Sequence, residues 1–230
     1  TLFRSSLQYY CLVASNTLAK EKGACSAFHE TKYSDGILPI DTYKKDVDEV
    51  FSPAVDYLYD WETLRESIKE HGLRHSTLTA QMPSESSSVV CNATNGVEPP
   101  RDYLSVKKSK KGTLKQIVPS YSTLKNNYTL LWDMTSMEGY LNVMALMQKF
   151  MDQSISTNTS YNPQHYDNSE VPASVLITDL LRSYQLGIKT LYYQNTYDGK
   201  GDEEITDSPT ELSVEDLLEL DDEGCDTCSI

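Results

Sequence analysis

Two cysteines close to the end of the chain are the residues whose type and spacing most directly suggest chemistry. Cys225 and Cys228 are separated by two residues, and two thiols so close together can exchange disulfides with a partner. The segment from Asp198 to Ile230 contains thirteen Asp or Glu and a single Lys, so it carries −12 of the net charge of −14. A segment so acidic and so poor in large apolar side chains is predicted to be mobile, because it buries too little surface to offset the entropy of ordering. The pattern indicates a dithiol on a mobile arm.

Other uses of a Cys-x-x-Cys pair fit this sequence less well. A zinc site needs a second ligand pair, and the best candidates, His71 and His75, have Gly72 between them, which weakens the helix that would align them. His29 and His165 are isolated in the sequence. A thioredoxin-like motif follows a strand and begins a helix, whereas this pair lies among carboxylates that are expected to raise the thiol pKa. The pattern therefore fits disulfide exchange with a partner better than a catalytic role of these thiols at a fixed site.

A second candidate site is the segment Met82–Ser88, where small hydroxyl residues follow a predicted strand over Thr77–Met82. The first N–H groups of a helix have no intrahelical partner and lie at the positive end of its dipole, so they bind phosphate or carboxylate. The carboxylate of Glu85 would repel a phosphate, so its amide is the expected contact and its side chain is expected to turn elsewhere, for example to a sugar hydroxyl. An ordinary N-cap in a Ser-rich turn explains the same residues.

A third candidate is the tyrosine pair Tyr192 and Tyr193, in a strand predicted over Ile188–Gln194. A phenol can pass on an electron when its proton moves as well, so two neighbouring tyrosines can relay a radical. Neighbours on a regular strand point to opposite faces, so stacking of the two rings requires a local distortion. The chain has 16 Tyr, and Tyr9 and Tyr10 form another pair, so a tyrosine pair alone is weak evidence.

The elements that must position these residues alternate between helices and short strands. Helical spacing and Gly stops predict four long helices, over residues 1–22, 61–70, 140–153 and 172–184. The segments Tyr103–Val106 and Leu114–Val118 flank a Lys-rich turn and predict a hairpin, and Asn95–Arg101 predicts a loop. This alternation predicts an α/β fold with a largely parallel sheet.

The composition excludes several classes of protein. Residues 1–197 hold 21 acidic and 19 basic side chains without a basic stripe, which argues against nucleic-acid binding. No apolar run approaches the roughly 18–20 residues of a membrane span, and no signal-peptide pattern is present. The five cysteines are scattered and odd in number, so they do not form a secreted disulfide framework. A cytosolic protein is predicted.

The start of the chain already has the apolar spacing of a helix at Thr1, so we expect the chain to begin inside a domain.

Seven strings resemble, in order, the C-terminal part of the large (alpha) subunit of class I (aerobic) ribonucleoside-diphosphate reductase. They extend over nearly the whole chain: Gly36–Lys44, Met82–Glu85, Asn92–Gly96, Glu98–Arg101, Gln148–Phe150, Asp152–Ser156 and Lys189–Thr196. The resemblance implies the later part of a ten-stranded α/β barrel over residues 1–197, followed by a mobile tail with a redox-active dithiol over residues 198–230.

The same resemblance implies roles for the candidate residues. A phosphate-binding segment for a ribonucleoside diphosphate would consist of Pro83, Ser84, Glu85, Ser86 and Ser87. Tyr192 and Tyr193 would relay the radical from the small subunit to the active site. Cys225 and Cys228 would re-reduce the active-site disulfide and then be reduced by thioredoxin or glutaredoxin. Two residues separate these cysteines, whereas four do in the best-known members of the family, so the strain and potential of the disulfide are expected to differ.

The resemblance also implies partners, because the chain lacks the thiyl-forming cysteine. That cysteine stands in an Asn-x-Cys-x-Glu pattern, which none of Cys11, Cys25 and Cys91 matches. We therefore expect a fragment or one product of a split gene, which needs the N-terminal portion of the large subunit. No cofactor is expected on this chain, since the dinuclear metal and tyrosyl radical belong to the small subunit. The expected location is the cytoplasm of a bacterium, or of the host if the gene belongs to a phage. The alternatives are a non-catalytic assembly piece and a thioredoxin-reducible thiol carrier.

Overall fold

The structure, a computed structural model, describes residues 2–41, 47, 58–109 and 112–198. Within this part the chain forms two units, each built from separate stretches of sequence. The first comprises the residues up to Met82, Glu138–Thr157 and Ala173–Tyr192. The second comprises Pro83–Met137, Asn158–Pro172 and the described residues from Tyr193 onward.

The described chain contains both helices and short strands, as the sequence predicts, but three helices precede the first strand and the two kinds of element do not alternate regularly. The helices are α1 (Leu2–Lys22), α2 (Trp61–His71), α3 (Glu85–Val90), α4 (Tyr121–Leu124), α5 (Glu138–Gln148) and α6 (Ala173–Gln185). The strands are β1 (Leu104–Ser109), β2 (Gly112–Ile117), β3 (Thr157–Tyr161) and β4 (Leu191–Thr196). Short 3₁₀ helices occupy much of the remainder, for example at Lys32–Asp35 and Pro39–Asp41.

The core of the first unit lies where α1 packs against α2. The N-terminus of α2 is capped by Asp60, whose carboxylate accepts the Thr63 N–H at 2.9 Å. Gly72 ends the helix with φ +76°, and a Cβ there would lie 2.6 Å from that of Ala24, so only glycine fits. The buried apolar side chains of this core are Leu12, Phe28, Tyr33, Leu38, Ile40, Trp61, Leu64, Ile68, Leu73 and Phe150. The predicted helices over residues 1–22 and 61–70 are confirmed.

Helix α5 ends earlier than its apolar pattern predicts, at Gln148 instead of Gln153. The buried Gln148 amide donates to the carbonyls of Met151 (3.3 Å) and Gln153 (2.9 Å), and its oxygen accepts the Ile155 N–H at 3.0 Å. The Gln148 side chain thus forms hydrogen bonds with three backbone groups of the turn that follows the helix. The prediction of a helix through residue 153 was wrong, because hydropathy does not reveal such a side-chain substitute for helical hydrogen bonds.

The predicted strand over Thr77–Met82 is reduced to a single parallel bridge between Gln81 and Ile155. The backbone of Ser156 donates to the Gln81 carbonyl at 3.0 Å. Before the bridge, the Asp152 carboxylate accepts the N–H groups of Leu78 (2.7 Å) and Thr79 (3.2 Å). At Leu78 and Thr79 a side chain therefore accepts the N–H groups that a neighbouring strand would otherwise bind.

Two small sheets are described. Strands β1 and β2 form an antiparallel hairpin in which Leu104 pairs with Ile117, as predicted. In the other sheet, β3 lies beside β4. There the backbone N–H of Tyr197 donates to the carbonyl of Tyr161 at 2.9 Å, and the side chain of Asn195 donates to Ser160 at 3.3 Å. Both strands advance together through these contacts, which is the pattern of a parallel pair.

A polar cluster in the first unit is centred on the half-buried Asp152 and includes the buried Tyr33 and the exposed Lys189. The hydroxyl of Tyr33 donates to the carboxylate of Asp152, and Lys189 Nζ donates to the Asp152 carbonyl at 2.7 Å. Burial is the largest cause that raises the pKa of Tyr33 above its ordinary value, and the charge of Asp152 adds to it. Desolvation of the amine lowers the pKa of Lys189. The cluster joins segments that are distant in sequence, and this makes it a determinant of stability.

We expect the free energy of unfolding to fall at alkaline pH because of the titration of the Tyr33 hydroxyl. Above the ordinary tyrosine pKa of 10.0 the unfolded chain releases this proton while the folded chain retains it. Stability is therefore complete below that pH and is lost as pH rises, by up to about 1.4 kcal/mol per pH unit. Urea unfolding of the full chain near pH 9 and pH 11 should show a smaller decline for Tyr33→Phe than for the parent. In the control, Tyr128→Phe, the decline should match that of the parent; equal declines in all three proteins would contradict the prediction.

Candidate active site

The structure places the predicted phosphate-binding segment at the start of helix α3, in the second unit. Ser84 is the residue before the helix, and its side chain makes no capping hydrogen bond. The Ser84 N–H instead donates to the carbonyl of Asn95 at 2.7 Å, and its carbonyl accepts the Ser88 N–H at 2.9 Å. Ser84 therefore anchors the segment to the following loop and does not act as an N-cap through its hydroxyl.

This arrangement narrows the set of donors that the segment offers to an anion. Pro83 has no N–H, and the N–H of Ser84 is taken by Asn95. Helix geometry leaves the amides of Glu85, Ser86 and Ser87 without an intrahelical partner. Ser86 and Ser87 are exposed, so their hydroxyls and amides are accessible. Among the five predicted residues, the last three are therefore the ones whose amides have no intrahelical acceptor.

The loop after α3 is held at several backbone positions. The Ala93 N–H donates to the carbonyl of Ser88 at 2.8 Å, and the Thr94 hydroxyl donates to that of Gly96 at 3.0 Å. Further along, the Pro100 carbonyl accepts a backbone N–H from Leu131 at 2.8 Å. The prediction of a loop over Asn95–Arg101 is confirmed, and these bonds fix its path next to the start of α3.

The two candidate relay tyrosines are consecutive residues of β4. The exposed fractions of Tyr192 and Tyr193 are 53% and 58%, so more than half of each side chain is accessible in this chain. The backbone N–H of Tyr193 donates to Oδ1 of Asn158 on β3 at 3.0 Å. The strand predicted over Ile188–Gln194 is observed about two residues later, at Leu191–Thr196.

Asn158 is a residue that sequence reasoning missed. Its amide nitrogen donates to the carboxylate of Glu98, while its oxygen accepts from Tyr193. Glu98 belongs to the loop whose other end holds Ser84, so the candidate phosphate segment and the Tyr193 backbone are parts of one hydrogen-bonded set in the second unit. The sequence offered one signal, since Glu98 belongs to one of the strings that carry the family resemblance.

An Arg–Trp–Tyr stack lies at the end of β4. The Arg101 guanidinium carbon lies 5.9 Å from the centroid of Trp132, whose ring contacts that of Tyr197 at 5.2 Å. The backbone carbonyl of Trp132 accepts a hydrogen bond from Asn162 at 3.0 Å. The ring contact holds Tyr197 against Trp132 within the second unit.

The predicted redox pair, Cys225 and Cys228, lies outside the described residues. Within them Cys11 and Cys25 are half-buried and Cys91 is exposed, all as free thiols. The described part of the chain contains no group of three or more His, Cys, Asp or Glu that could hold a metal ion. Among the helices described, none is both long and apolar enough to cross a membrane.

Comparison with known proteins identifies the family. Residues 2–194 match the family described as "Ribonucleotide reductase, barrel domain". The chain belongs to this family. The expectations of a reductase large-subunit sequence and of an α/β barrel fold are thereby confirmed.

Individual relatives agree with the family. The chain is 54% identical to ribonucleoside-diphosphate reductase 1 subunit alpha of Salmonella typhimurium, over 96% of its own length and 28% of the relative's. The Escherichia coli protein of the same name gives the same figures over 223 residues. The alpha subunit of Enterobacteria phage T4 is 46% identical over 85% of this chain and 26% of its own length. The chain thus spans little more than a quarter of the length of these reductase subunits.

Proposed function

We propose that this chain contributes three parts of a ribonucleoside-diphosphate reductase: a phosphate-binding segment, a radical relay and an electron-delivery dithiol. The observation that carries the proposal is 54% identity over 96% of the chain to proteins named as alpha subunits of that enzyme. The geometry of the second unit adds support, because the segment at α3 and the Tyr193 backbone belong to one hydrogen-bonded set.

The proposed reaction removes the 2′-hydroxyl of a ribonucleoside diphosphate. The hydroxyl leaves as water, the 2′ carbon gains a hydrogen, and two thiols become a disulfide, so atoms and electrons balance. The amides of Glu85, Ser86 and Ser87 would hold the diphosphate, as N–H groups at a helix start hold anions. Tyr192 and Tyr193 would each lose an electron together with the phenolic proton, which carries the radical towards the active site.

The third proposed part restores the enzyme after each turnover. The dithiol of Cys225 and Cys228 would pass two electrons to the active-site disulfide and become a disulfide itself. Thioredoxin or glutaredoxin would then reduce it. The metal and the tyrosyl radical would be supplied by the small subunit, and the thiyl-forming cysteine by the N-terminal portion of the large subunit. We propose the cytoplasm as the location, with no nucleic-acid or membrane partner.

Reconstitution tests this function directly. The full chain is mixed with a polypeptide that carries the N-terminal portion of a class I large subunit, and with the small subunit. We expect co-elution of the two large-subunit pieces and reduction of nucleoside diphosphate only when all three polypeptides are present. Co-elution without reduction of nucleoside diphosphate would indicate a non-catalytic assembly piece. If neither co-elution nor reduction is observed, the proposal is contradicted. Reduction of this chain by thioredoxin without any assembly would indicate a thiol carrier.

The phosphate-binding segment predicts an effect of Ser86→Pro on substrate binding. Proline is tolerated in the first turn of a helix, so the change removes one N–H without breaking α3. We expect nucleotide affinity to weaken by roughly tenfold, which is the contribution of one hydrogen bond to a charged group. Ser86→Ala retains the N–H and is the matched control. Equal affinities of the two variants for the diphosphate in the assembled enzyme would contradict a backbone contact at this position.

A further inference from the structure

The side chain of Asn158 joins two elements of the second unit that are remote in sequence. Its Oδ1 accepts the backbone N–H of Tyr193 at 3.0 Å, and its Nδ2 donates to the carboxylate of Glu98. Only one orientation of the amide satisfies both neighbours, because an N–H needs an acceptor and a carboxylate needs a donor. The bond to the carboxylate is charge-assisted and so among the stronger hydrogen bonds in proteins.

Glu98 is itself held by a constrained stretch of chain. Pro99 and Pro100 follow it and fix their own φ angles, and the Pro100 carbonyl is bonded to the Leu131 N–H at 2.8 Å. On the other side, the Asn95 carbonyl accepts the Ser84 N–H at 2.7 Å. The carboxylate therefore stands on a loop that is fixed at both ends, one of them at the start of α3.

Tyr193 has no comparable support from burial. Its side chain is 58% exposed, and it lies on a strand of a two-stranded sheet. Its backbone is bonded to Asn158, and through Asn158 it is attached to the loop. Where a reacting side chain is not enclosed, its position depends on hydrogen bonds of this kind. A displacement of about 1 Å in a reacting group can cost roughly 10²-fold in rate.

We propose that Asn158 and Glu98 are positioning residues, which tie the backbone of Tyr193 to the loop at the start of α3. This inference rests on the proposed relay function of Tyr193. Neither side chain takes part in the electron transfer itself. The bridge sets the place of the Tyr193 backbone relative to the segment that is proposed to hold the substrate diphosphate.

A reversal of the hydrogen-bond polarity tests the bridge in the reconstituted holoenzyme. Asn158→Asp has the same shape but places a carboxylate against Glu98, so the bridge breaks by like-charge repulsion. Glu98→Gln restores it, because the new amide can donate to the new carboxylate. We expect Asn158→Asp and Asn158→Ala to lower kcat by roughly 10- to 100-fold with KM nearly unchanged. The double variant Asn158→Asp/Glu98→Gln should recover most of the parent kcat.

Controls separate this inference from the proposed function and from loss of folding. Asn126→Ala, at an exposed asparagine of the same unit, should retain the parent kcat. Each variant is compared with the parent by thermal unfolding and by co-elution with its partners, and if Asn158→Asp fails either comparison, Asn158→Ala takes its place. The yield of a radical trapped on 3-aminotyrosine at position 193, measured by electron paramagnetic resonance, should fall and recover in parallel with kcat.

The outcomes have distinct meanings. If Tyr193→Phe retains turnover, the relay function itself fails. If Tyr193→Phe is inactive but Asn158→Asp matches the parent, the positioning role fails and the relay function stands. If Asn158→Asp is slow and the double variant is equally slow, the bridge of Asn158 and Glu98 is overturned. Slow turnover in the single variant together with recovery in the double variant supports the inference.

Discussion

Tyr193→Phe is expected to abolish nucleoside diphosphate reduction in the reconstituted enzyme while leaving assembly intact. Phenylalanine retains the ring and the backbone bond to Asn158 but has no phenolic O–H, so it cannot lose an electron and a proton together. Even a rise of about 4 kcal/mol in the barrier would reduce the rate roughly a thousandfold. The same loss is expected for Tyr192→Phe, the preceding residue of β4.

Two measurements check this result. The first is formation of deoxyribonucleoside diphosphate, which should fall to the background of the assay. The second is the electron paramagnetic resonance signal of the small-subunit radical, which should persist because it has no route onward. Tyr197→Phe is the matched control: it lies four residues further on, contacts Trp132 and is outside the proposed relay. Turnover close to the parent level in Tyr192→Phe or Tyr193→Phe would remove that residue from the pathway.

Cys225→Ser and Cys228→Ser are expected to stop repeated turnover without preventing the first one. A pre-reduced enzyme would already hold the two electrons for one product, whereas under the proposed function each later cycle would require the tail dithiol to reduce the active-site disulfide. Cys225 lies 32 residues after Tyr193, and a fully extended chain of that length reaches roughly 100 Å. The covalent connection therefore allows the dithiol to meet both a buried disulfide and an external reductant.

The experiment compares single-turnover and steady-state product formation with thioredoxin as the reductant. Both variants should give a normal first turnover and then stop at about one product per active site. A small dithiol that enters the active site directly should restore part of the steady-state rate. Cys91→Ser removes an exposed free thiol of the described chain and should behave like the parent. Sustained turnover with thioredoxin in Cys225→Ser would show that this dithiol does not deliver the electrons.

Local patterns predicted the helices well where the determining groups are close in sequence. The helix stops at Gly23, Gly72 and Gly187 were recognised because a positive φ at a helix end depends on one residue and its near neighbours. The β1–β2 hairpin was recognised for the same reason, since only two residues separate its strands in the sequence. In each case the stabilising contact spans only a few residues.

Sequence patterns predicted the bounds of helices and strands less well where a side chain takes the place of a backbone hydrogen-bond partner. Gln148 ends α5 five residues early, and Asp152 bonds the segment at Leu78 and Thr79 that had been predicted as strand. Gln148 forms hydrogen bonds with backbone groups of the turn that follows its helix, and Asp152 forms them with backbone N–H groups of a segment that is remote in sequence. Hydropathy and propensity describe each segment alone, so they do not reveal a partner more than 70 residues away.

The sequence by itself determined the family, the α/β class and the candidate residues, because these follow from motifs and periodicities that adjacent residues carry. Only the tertiary structure decided which donors of the phosphate segment are available, since the Ser84 N–H is taken by Asn95. It also brought Asn158 between Glu98 and Tyr193, across separations of 60 and 35 residues. The physical reason is that a hydrogen bond depends on distance and direction in space, and chain folding sets these for residues that are remote in sequence.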